Sequence, residues 1–199
     1  MTITLYEYPP TRSARVRWTL QELDVPFESV SDRRLFGSKR LKKVHPLGKF
    51  PAVEDAGRPL FESAAICTWL ADKHADRGLG HASGTWDRAL HDQWVSFVLS
   101  ELEAHMWSTF RNTVVYPDDR KVPAIIAQND AELARALPVL EDYLSGHDYL
   151  VDDRFSVTDI ITVFTTNWAR KAGHLESLPN LNAYTLHLME RPHCPYSKD

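Results

Sequence analysis

The sequence has little of what marks several large classes of protein. Its two cysteines, Cys67 and Cys194, lie far apart and form no Cys-x-x-Cys pair. This argues against a disulfide framework or a zinc site, and it favours a reducing cytoplasm. The nine histidines show no metal-binding spacing such as His-Glu-x-x-His. No apolar run approaches the ~18 residues of a membrane span, and the N-terminal MTITLYEY is typical of a strand, not of a signal peptide.

The chain also lacks a strong excess of charge of either sign. Its formal net charge is −4 over 199 residues, so the overall charge does not predict binding to nucleic acid or to an anionic membrane. The basic stretch RRLFGSKRLKK, residues 33–43, is local and is expected to be a solvated face. An apolar content of 43% is ordinary for a globular protein. The length suits one large domain or two small ones.

The first part of the chain, residues 1–78, alternates strand and helix patterns. Val16, Leu20 and Leu23 recur at helical spacing, and short apolar runs on either side of this segment predict strands. The predicted order is β-α-β-α-β-β-α, with a weak helix or irregular segment in the fourth place. Strands joined through a helix should pair in parallel, and the final hairpin should add antiparallel strands. We therefore expect an α/β domain built on a small mixed sheet.

The second part, residues 86–199, shows helical periodicity and no long strand pattern. A helix over the segment that contains Pro138 is expected to bend or break there. Ser156 and Asp159 have the spacing of a capping box at the start of another helix. Residues 79–85 belong to a stretch rich in glycine and small polar residues and form the expected linker. The second domain is thus predicted to be all-helical.

The hairpin segment GKFPAVEDAGRPLFES, Gly48 to Ser63, combines two unusual features. Pro51 stands at the start of its first strand, although proline gives no N–H to a sheet ladder. The second strand ends on Glu62 and Ser63, where the next helix is expected to begin. A rigid turn and a helix cap would explain these residues separately. Their occurrence together favours a binding site.

Three motifs in the same order resemble the cytosolic glutathione transferases. They are LYEYPPTRSARVRWTLQEL, FPAVEDAGRPLFESAAI and FSVTDI, and the resemblance covers nearly the full chain, with a bacterial-type catalytic loop. It implies a thioredoxin-like N-terminal domain, a helical C-terminal domain, and an enzyme that uses glutathione as co-substrate without a metal. It also implies a cytoplasmic homodimer that acts on small hydrophobic electrophiles.

The resemblance implies roles for the hairpin residues in binding glutathione. A cis Phe50–Pro51 peptide would present the Phe50 backbone to the cysteinyl unit in the manner of an added strand. Ser63, at a helix N-terminus, suits the γ-glutamyl carboxylate, and Glu62 suits the ammonium group. Lys49 is expected to meet the glycyl carboxylate.

The group that activates the glutathione thiol is expected in the loop after the first strand. Thr11 ranks first, because it matches the catalytic serine position of the serine-type classes. Ser13 ranks second and Tyr6, still on the strand, ranks third. Threonine in place of serine departs from the family pattern, and its methyl group restricts the rotamers of the hydroxyl. The loop has no cysteine, which argues against the cysteine-type classes.

An apolar pocket for the electrophile is expected between this loop and the helical half. Its candidate residues are Tyr8, Trp107, Phe110 and Tyr116. A wide mixed face with Trp94, Phe97, Leu102 and Trp107, in the region through which family members pair, predicts a twofold homodimer. Two alternatives to the transferase stay open: a non-catalytic glutathione-binding or protein-interaction module, and a glutathione-dependent isomerase or peroxidase.

Overall fold

The computed structural model describes residues 2–196 of the chain. The four strands are β1 Ile3–Glu7, β2 Phe27–Ser31, β3 Ala52–Asp55 and β4 Arg58–Phe61. The helices are α1 Ser13–Glu22, α2 Ser63–Lys73, α3 Trp86–Phe97, α4 Ala104–Phe110, α5 Ala124–Leu144, α6 Val157–Lys171 and α7 Pro179–Leu188. The α/β half followed by an all-helical half confirms the predicted fold class.

The sheet has the strand order β2-β1-β3-β4. β1 pairs with β2 in parallel, and β3 pairs antiparallel with β4, as the strand–helix–strand and hairpin patterns predict. β3 also pairs antiparallel with β1. Val16 and Leu20 on α1 and Leu23 just after it are fully buried in the main core, which also includes α2 residues. A second small core holds Leu35, Leu41 and Val44 together with Ala52 of β3.

The segment between β2 and β3 forms two short 3₁₀ turns, Arg33–Leu35 and Leu41–Lys43. Its basic side chains are exposed, which confirms the solvated face expected from the sequence. Gly48 has a φ of +61°, and a Cβ there would lie 2.9 Å from the Gly37 Cα. The Gly37 N–H also donates to the Gly48 carbonyl at 2.8 Å. Glycine at both positions therefore lets this segment fold tightly just before Lys49 and Phe50.

The long helix predicted from Trp86 is interrupted by two wider turns. Val98–Glu103 and Arg111–Val115 are π-helical and flank α4. Such turns rarely occur in runs and are frequent near functional sites. Here they carry Glu103 and Arg111, two charged residues that line the region described below.

The helix α5 runs through Pro138 without a break, so of the expected bend or break, the break is wrong. Leu133, Leu137 and Leu140 on both sides of the proline are buried in the main core, and this packing offsets the one lost backbone hydrogen bond. The capping box of α6 is confirmed. Ser156 Oγ accepts the Thr158 N–H at 3.2 Å, and Asp159 Oδ2 accepts the Ser156 N–H at 2.8 Å.

The stretch between α2 and α3 is held against the helical half. The Leu79 carbonyl accepts the Val157 N–H at 2.9 Å, and Arg154 Nη2 donates to the Gly80 carbonyl at 2.7 Å. The expected linker at 79–85 is therefore fixed by hydrogen bonds over part of its length. The division of the chain at 78 and 86 stays a prediction.

The mixed face that predicted a homodimer is largely internal. Trp94 is 6% exposed and Leu102 is fully buried, both in the main core. Phe97 is half-buried and its ring packs edge-on against Trp94 at 5.9 Å. These residues face inward because they fill the space between the helices, so this face gives no argument for pairing.

Candidate active site

The strand register brings three predicted segments together at one end of the strands. Tyr6 of β1 lies opposite Ala52 of β3, and Ala52 lies opposite Phe61 of β4. The loop after β1, the peptide before β3 and the start of α2 therefore leave the sheet at the same end. The Phe50–Pro51 peptide is cis, as expected. The Tyr8 ring lies 6.4 Å from the Phe50 ring, so Tyr8 belongs to this side of the cleft.

The start of α2 places an exposed acid, Glu62, beside a buried hydroxyl, Ser63. Glu62 has φ 72° and ψ 113°, an unusual backbone conformation for a residue other than glycine, and its exposed side chain caps no backbone N–H. The helix begins at Ser63, whose hydroxyl oxygen accepts a hydrogen bond from Arg15 Nη1 at 3.2 Å. Because the arginine only donates, the Ser63 proton remains able to donate to a ligand. These contacts differ from those of an ordinary helix cap.

The loop after β1 holds two neighbouring hydroxyls in different environments. Ser13 is buried, and its Oγ lies 3.2 Å from both the Tyr8 nitrogen and the Tyr8 carbonyl oxygen. Thr11 is half-buried, and its Oγ1 lies 2.8 Å from Ser13 Oγ and accepts the Ser13 N–H at 3.3 Å. Ser13 therefore closes the loop, while Thr11 keeps the more accessible hydroxyl.

Tyr6 and Lys49 lie at the borders of this loop region. The Tyr6 side chain is partly buried and packs against the small core that contains Leu35 and Leu41. Packing of this kind leaves it less available to a bound thiol than Thr11. Lys49 is exposed beside Phe50, at the same end of the sheet, where it is free to meet an anionic group.

A buried charge network joins this loop to the helical half. Arg15 is fully buried, and its Nη2 donates to Glu103 Oε2 at 2.5 Å and to Thr165 Oγ1 at 3.0 Å. Its Nε donates to the Ile161 carbonyl at 2.9 Å. Arg12, the neighbour of Thr11, also pairs with Glu103. Sequence reasoning missed Glu103 and Thr165, because nothing in their local pattern indicates a partner so distant in the chain.

The network fixes the charge of Glu103. Burial by itself would raise the pKa of this carboxyl, but the charges of Arg15 and Arg12 and hydrogen bonds from Thr165 and Arg15 lower the pKa to about 2. Glu103 is therefore ionised at neutral pH. Its charge balances the arginines beside the cleft and holds the Arg15 guanidinium against Ser63.

On the helical side, four rings form a connected aromatic cluster: Trp107, Phe110, Phe164 and Trp168. Ring centroids of successive members lie 5.6–6.2 Å apart in the order given by Trp107–Phe110, Phe110–Trp168 and Trp168–Phe164. The Arg12 guanidinium contacts both ends of this series, at 5.0 Å from the Trp107 ring and 5.8 Å from the Phe164 ring. The cluster therefore lies next to the residue that follows Thr11.

Two of the four predicted pocket residues, Trp107 and Phe110, belong to this cluster. Tyr116 is linked to the cluster through Arg111, whose guanidinium lies 5.7 Å from the Tyr116 ring and 5.9 Å from the Trp107 ring. Phe164 and Trp168 on α6 were missed, although their spacing of four residues places them on one face of that helix. Periodicity alone could not show that this face meets α4.

The part of the chain that the structure describes shows no disulfide, no metal site and no membrane-spanning helix. Both cysteines are free thiols, and burial raises the pKa of Cys67 to about 12, so its thiol is inert at neutral pH. Within residues 2–196 no group of histidine, cysteine and acidic side chains is arranged to hold a metal ion. No helix of the same range is both long and apolar enough to cross a membrane.

The fold and the site match known family patterns along most of the chain. Residues 1–72 match the glutathione S-transferase N-terminal domain, and residues 86–192 match the glutathione S-transferase C-terminal domain. The chain belongs to the glutathione transferase family. The bacterial-type character of its catalytic loop stays a prediction.

Individual relatives agree with this assignment. The chain is 31% identical to glutathione S-transferase F13 of Arabidopsis thaliana, over 90% of this chain and 86% of the relative. The crystal structure of glutathione transferase URE2P6 from Phanerochaete chrysosporium, in complex with oxidized glutathione, superposes with a TM-score of 0.87 at 29% identity and covers 97% of this chain and 93% of that one. Poplar glutathione transferase F1 gives a TM-score of 0.82 at 28% identity, covering 98% and 95%.

Proposed function

We propose that this glutathione transferase activates the glutathione thiol with Thr11 for attack on a small hydrophobic electrophile. The observation that carries the proposal is the convergence of the Thr11 loop, the Phe50–Pro51 peptide and the Glu62–Ser63 pair at one end of the sheet. Opposite this end stands the aromatic cluster, in contact with Arg12. One side suits a peptide and the other suits an apolar partner.

In this proposal each polar group at this end of the strands binds one part of glutathione. The Ser63 hydroxyl and the free N–H groups of the first α2 turn bind the γ-glutamyl carboxylate, and Glu62 binds the ammonium group. The backbone of Phe50 pairs with the cysteinyl unit, and Lys49 meets the glycyl carboxylate. Arg15 acts through Ser63, because it occupies the serine oxygen and leaves the serine proton for the ligand.

The chemistry asks for a stabilised thiolate. A free thiol has a pKa of about 8.5, and lowering it by ~2 units corresponds to about 2.7 kcal/mol of preferential thiolate stabilisation. In the free protein the Ser13 hydroxyl donates to the Tyr8 carbonyl, so the Thr11 hydroxyl donates to Ser13 Oγ. With glutathione bound, the Thr11 hydroxyl turns to donate to the sulfur and supplies part of this stabilisation, and the N-terminus of α1 supplies more. The thiol proton leaves to solvent. The thiolate sulfur then forms a bond to the electrophilic carbon, either displacing a leaving group such as halide or adding to an enone.

The proposal also covers the oligomeric state and the cellular location of the enzyme. Members of the family typically form dimers, and this chain exposes large apolar side chains on its first half, among them Phe36 at 63% and Leu47 at 64%. We expect a twofold homodimer, visible in sedimentation as twice 22.8 kDa, whereas a monomer at micromolar concentration would contradict it. A cytoplasmic location fits the two free thiols.

Turnover with a panel of electrophiles tests the proposed function. Aromatic halides, enones and hydroperoxides are offered with and without glutathione, and glutathione binding is measured separately by calorimetry. We expect glutathione-dependent consumption of a halide or an enone. Glutathione binding with no turnover of any panel member would instead identify a non-catalytic module. Turnover of hydroperoxide alone would identify a peroxidase.

A further inference from the structure

An unbalanced positive charge lies on the outer side of the aromatic cluster. The Arg111 guanidinium is 5.9 Å from the Trp107 ring and 5.7 Å from the Tyr116 ring. The Arg120 guanidinium is 5.0 Å from the same Tyr116 ring. Ring faces attract cations, but two like charges beside one ring raise the local positive potential.

Neither arginine has a carboxylate partner among residues 2–196. The turn that carries Arg120 has two acidic residues, Asp118 and Asp119. Asp118 pairs with Lys121 at 2.8 Å, and neither acid makes an ion pair with Arg111. The Nε of Arg111 is shielded from solvent and has no hydrogen-bond partner within the described part of the chain. Arg12 also lies near Trp107, but Glu103 balances its charge. The same indole ring is thus near one neutralised arginine and one arginine that is not neutralised.

The backbone around Arg111 is held in place. The Arg111 carbonyl accepts the Tyr116 N–H at 2.8 Å. The buried Asn112 accepts the Val122 N–H at 2.9 Å and donates to the Ser108 carbonyl at 2.9 Å. These bonds fold the following turn back onto the π-helical segment. Arg111 is therefore presented on a fixed support, which reduces the entropy cost of binding a ligand.

The segments next to Arg111 also expose apolar side chains. The neighbouring exposed side chains are Phe110, Val114, Val115 and Val122, which are 36–65% exposed. A ligand that suits this surface has an apolar or aromatic body and one anionic group. A fully neutral ligand would leave the guanidinium unpaired, and a purely ionic ligand would gain nothing from the rings.

We propose that the second substrate is an aromatic electrophile carrying a carboxylate or a similar oxyanion, and that Arg111 binds this oxyanion. The inference rests on the proposed function and names its substrate class. Arg12 and Arg111 lie 5.0 Å and 5.9 Å from the same indole. An aromatic electrophile that lies against Trp107 is therefore near both Arg111 and Arg12, the neighbour of Thr11 in the chain. The planar guanidinium is suited to two parallel hydrogen bonds with a carboxylate.

A matched pair of substrates tests the inference. 4-Chloro-3-nitrobenzoate and 4-chloro-3-nitrobenzamide share the ring and the chloride leaving group, and each kcat/KM is divided by the uncatalysed rate with glutathione. We expect the wild-type protein to favour the carboxylate about tenfold or more, the loss expected for one hydrogen bond to a charged group. Arg111→Gln should abolish the preference, and Arg111→Lys should keep part of it. Arg135→Gln, an exposed arginine paired with Glu132 on α5, is the matched control and should change nothing.

A binding measurement makes the test independent of turnover. The glutathione conjugates of the two compounds are titrated into wild type and Arg111→Gln by calorimetry, with the affinity for glutathione as the check on folding. Selective loss of affinity for the carboxylate conjugate supports the inference. Equal affinity for both conjugates in the wild type, or an equal loss for both in Arg111→Gln, overturns it and leaves the proposed function standing. If neither glutathione nor a conjugate binds, the proposed function fails and the inference fails with it.

Discussion

The two sides of the candidate site are built from different kinds of groups. The glutathione side consists of strand ends, a helix N-terminus and small hydroxyls, so its donors and acceptors are fixed by the backbone of the sheet. The helical side consists of large rings from α4 and α6, whose positions depend on helix packing. Under the proposed function, the first side would recognise the constant peptide, and a few side chains would set the chemistry of the second.

The two sides are joined by one charge network. Arg15 comes from the glutathione side, and Glu103 and Thr165 come from the helical side, all of them buried. A buried ion pair adds little net stability, but removing one partner leaves an uncompensated charge, which is costly. The packing of the two sides against each other is therefore expected to depend on Glu103.

Glu103→Gln should have the largest effect, because it leaves the fully buried Arg15 guanidinium without its counter-ion. We expect a loss of about 3–5 kcal/mol in the free energy of unfolding, measured by urea denaturation. Glu101→Gln, in the same π-helical segment but partly exposed and 3.9 Å from Arg135, is the matched control and should change stability by less than ~0.5 kcal/mol. Equal stability of the Glu103 variant and the wild type would show that the two sides do not depend on this network.

The same network should make stability depend on pH. The folded state lowers the pKa of Glu103 to about 2, below its ordinary value of 4.5. The stability that this carboxylate contributes is therefore present above pH ~4.5 and is lost as the pH falls toward 2. In denaturant unfolding across this range, Glu103→Gln should lose less stability on acidification than the wild type. Parallel curves for the two proteins would rule out Glu103 as the responsible group.

Ser63→Ala should damage only the glutathione side. It removes one hydrogen bond to a charged carboxylate, worth about 1.5–3 kcal/mol, so affinity for glutathione should fall at least tenfold in calorimetry. Circular dichroism should be unchanged. Ser100→Ala serves as control, because Ser100 is exposed and its hydroxyl donates to the Ser96 carbonyl at the end of α3. An unaltered dissociation constant for Ser63→Ala would remove this residue from the site.

Trp168→Leu should damage only the helical side, and more mildly. It removes ring contacts with Phe110 at 5.9 Å and Phe164 at 6.2 Å, and such pairs contribute about 0.5–1.5 kcal/mol. We expect KM for an aromatic electrophile to rise roughly two- to tenfold, while Kd for glutathione stays the same. A matching loss of glutathione affinity would mean that the two sides are not separate.

The same difference explains what could be predicted from the sequence. The glutathione side depends on contiguous motifs: the hairpin and the helix start at Glu62–Ser63 follow from residues close together in the chain, and the family resemblance of the same motif implied the cis Phe50–Pro51 peptide. The pairing of β1 with β3 joins distant residues and was not predicted. Local spacing also sufficed for the capping box of Ser156 and Asp159, because both groups act within one turn.

The helical side depends on contacts between residues far apart in sequence. Trp107 and Phe110 were found on one helix, but Phe164 and Trp168 complete the cluster only once α6 packs beside α4. Glu103 gave no local sign of its arginine partners. The continuity of α5 through Pro138 and the burial of Trp94 and Leu102 were likewise decided by tertiary packing, which can outweigh local propensity.

The pKa of enzyme-bound glutathione tests most directly whether Thr11 activates the thiol. Its thiolate absorbance is titrated in the wild type and in Thr11→Ala, Thr11→Ser, Ser13→Ala and Tyr6→Phe. We predict a wild-type value ~2 units below the free thiol value of about 8.5. It should rise toward the free value in Thr11→Ala, with lower kcat/KM and little change in Kd for glutathione, and Thr11→Ser should remain near the wild type. A thiol pKa unmoved by Thr11→Ala, or moved further by Ser13→Ala or Tyr6→Phe, would contradict the assignment.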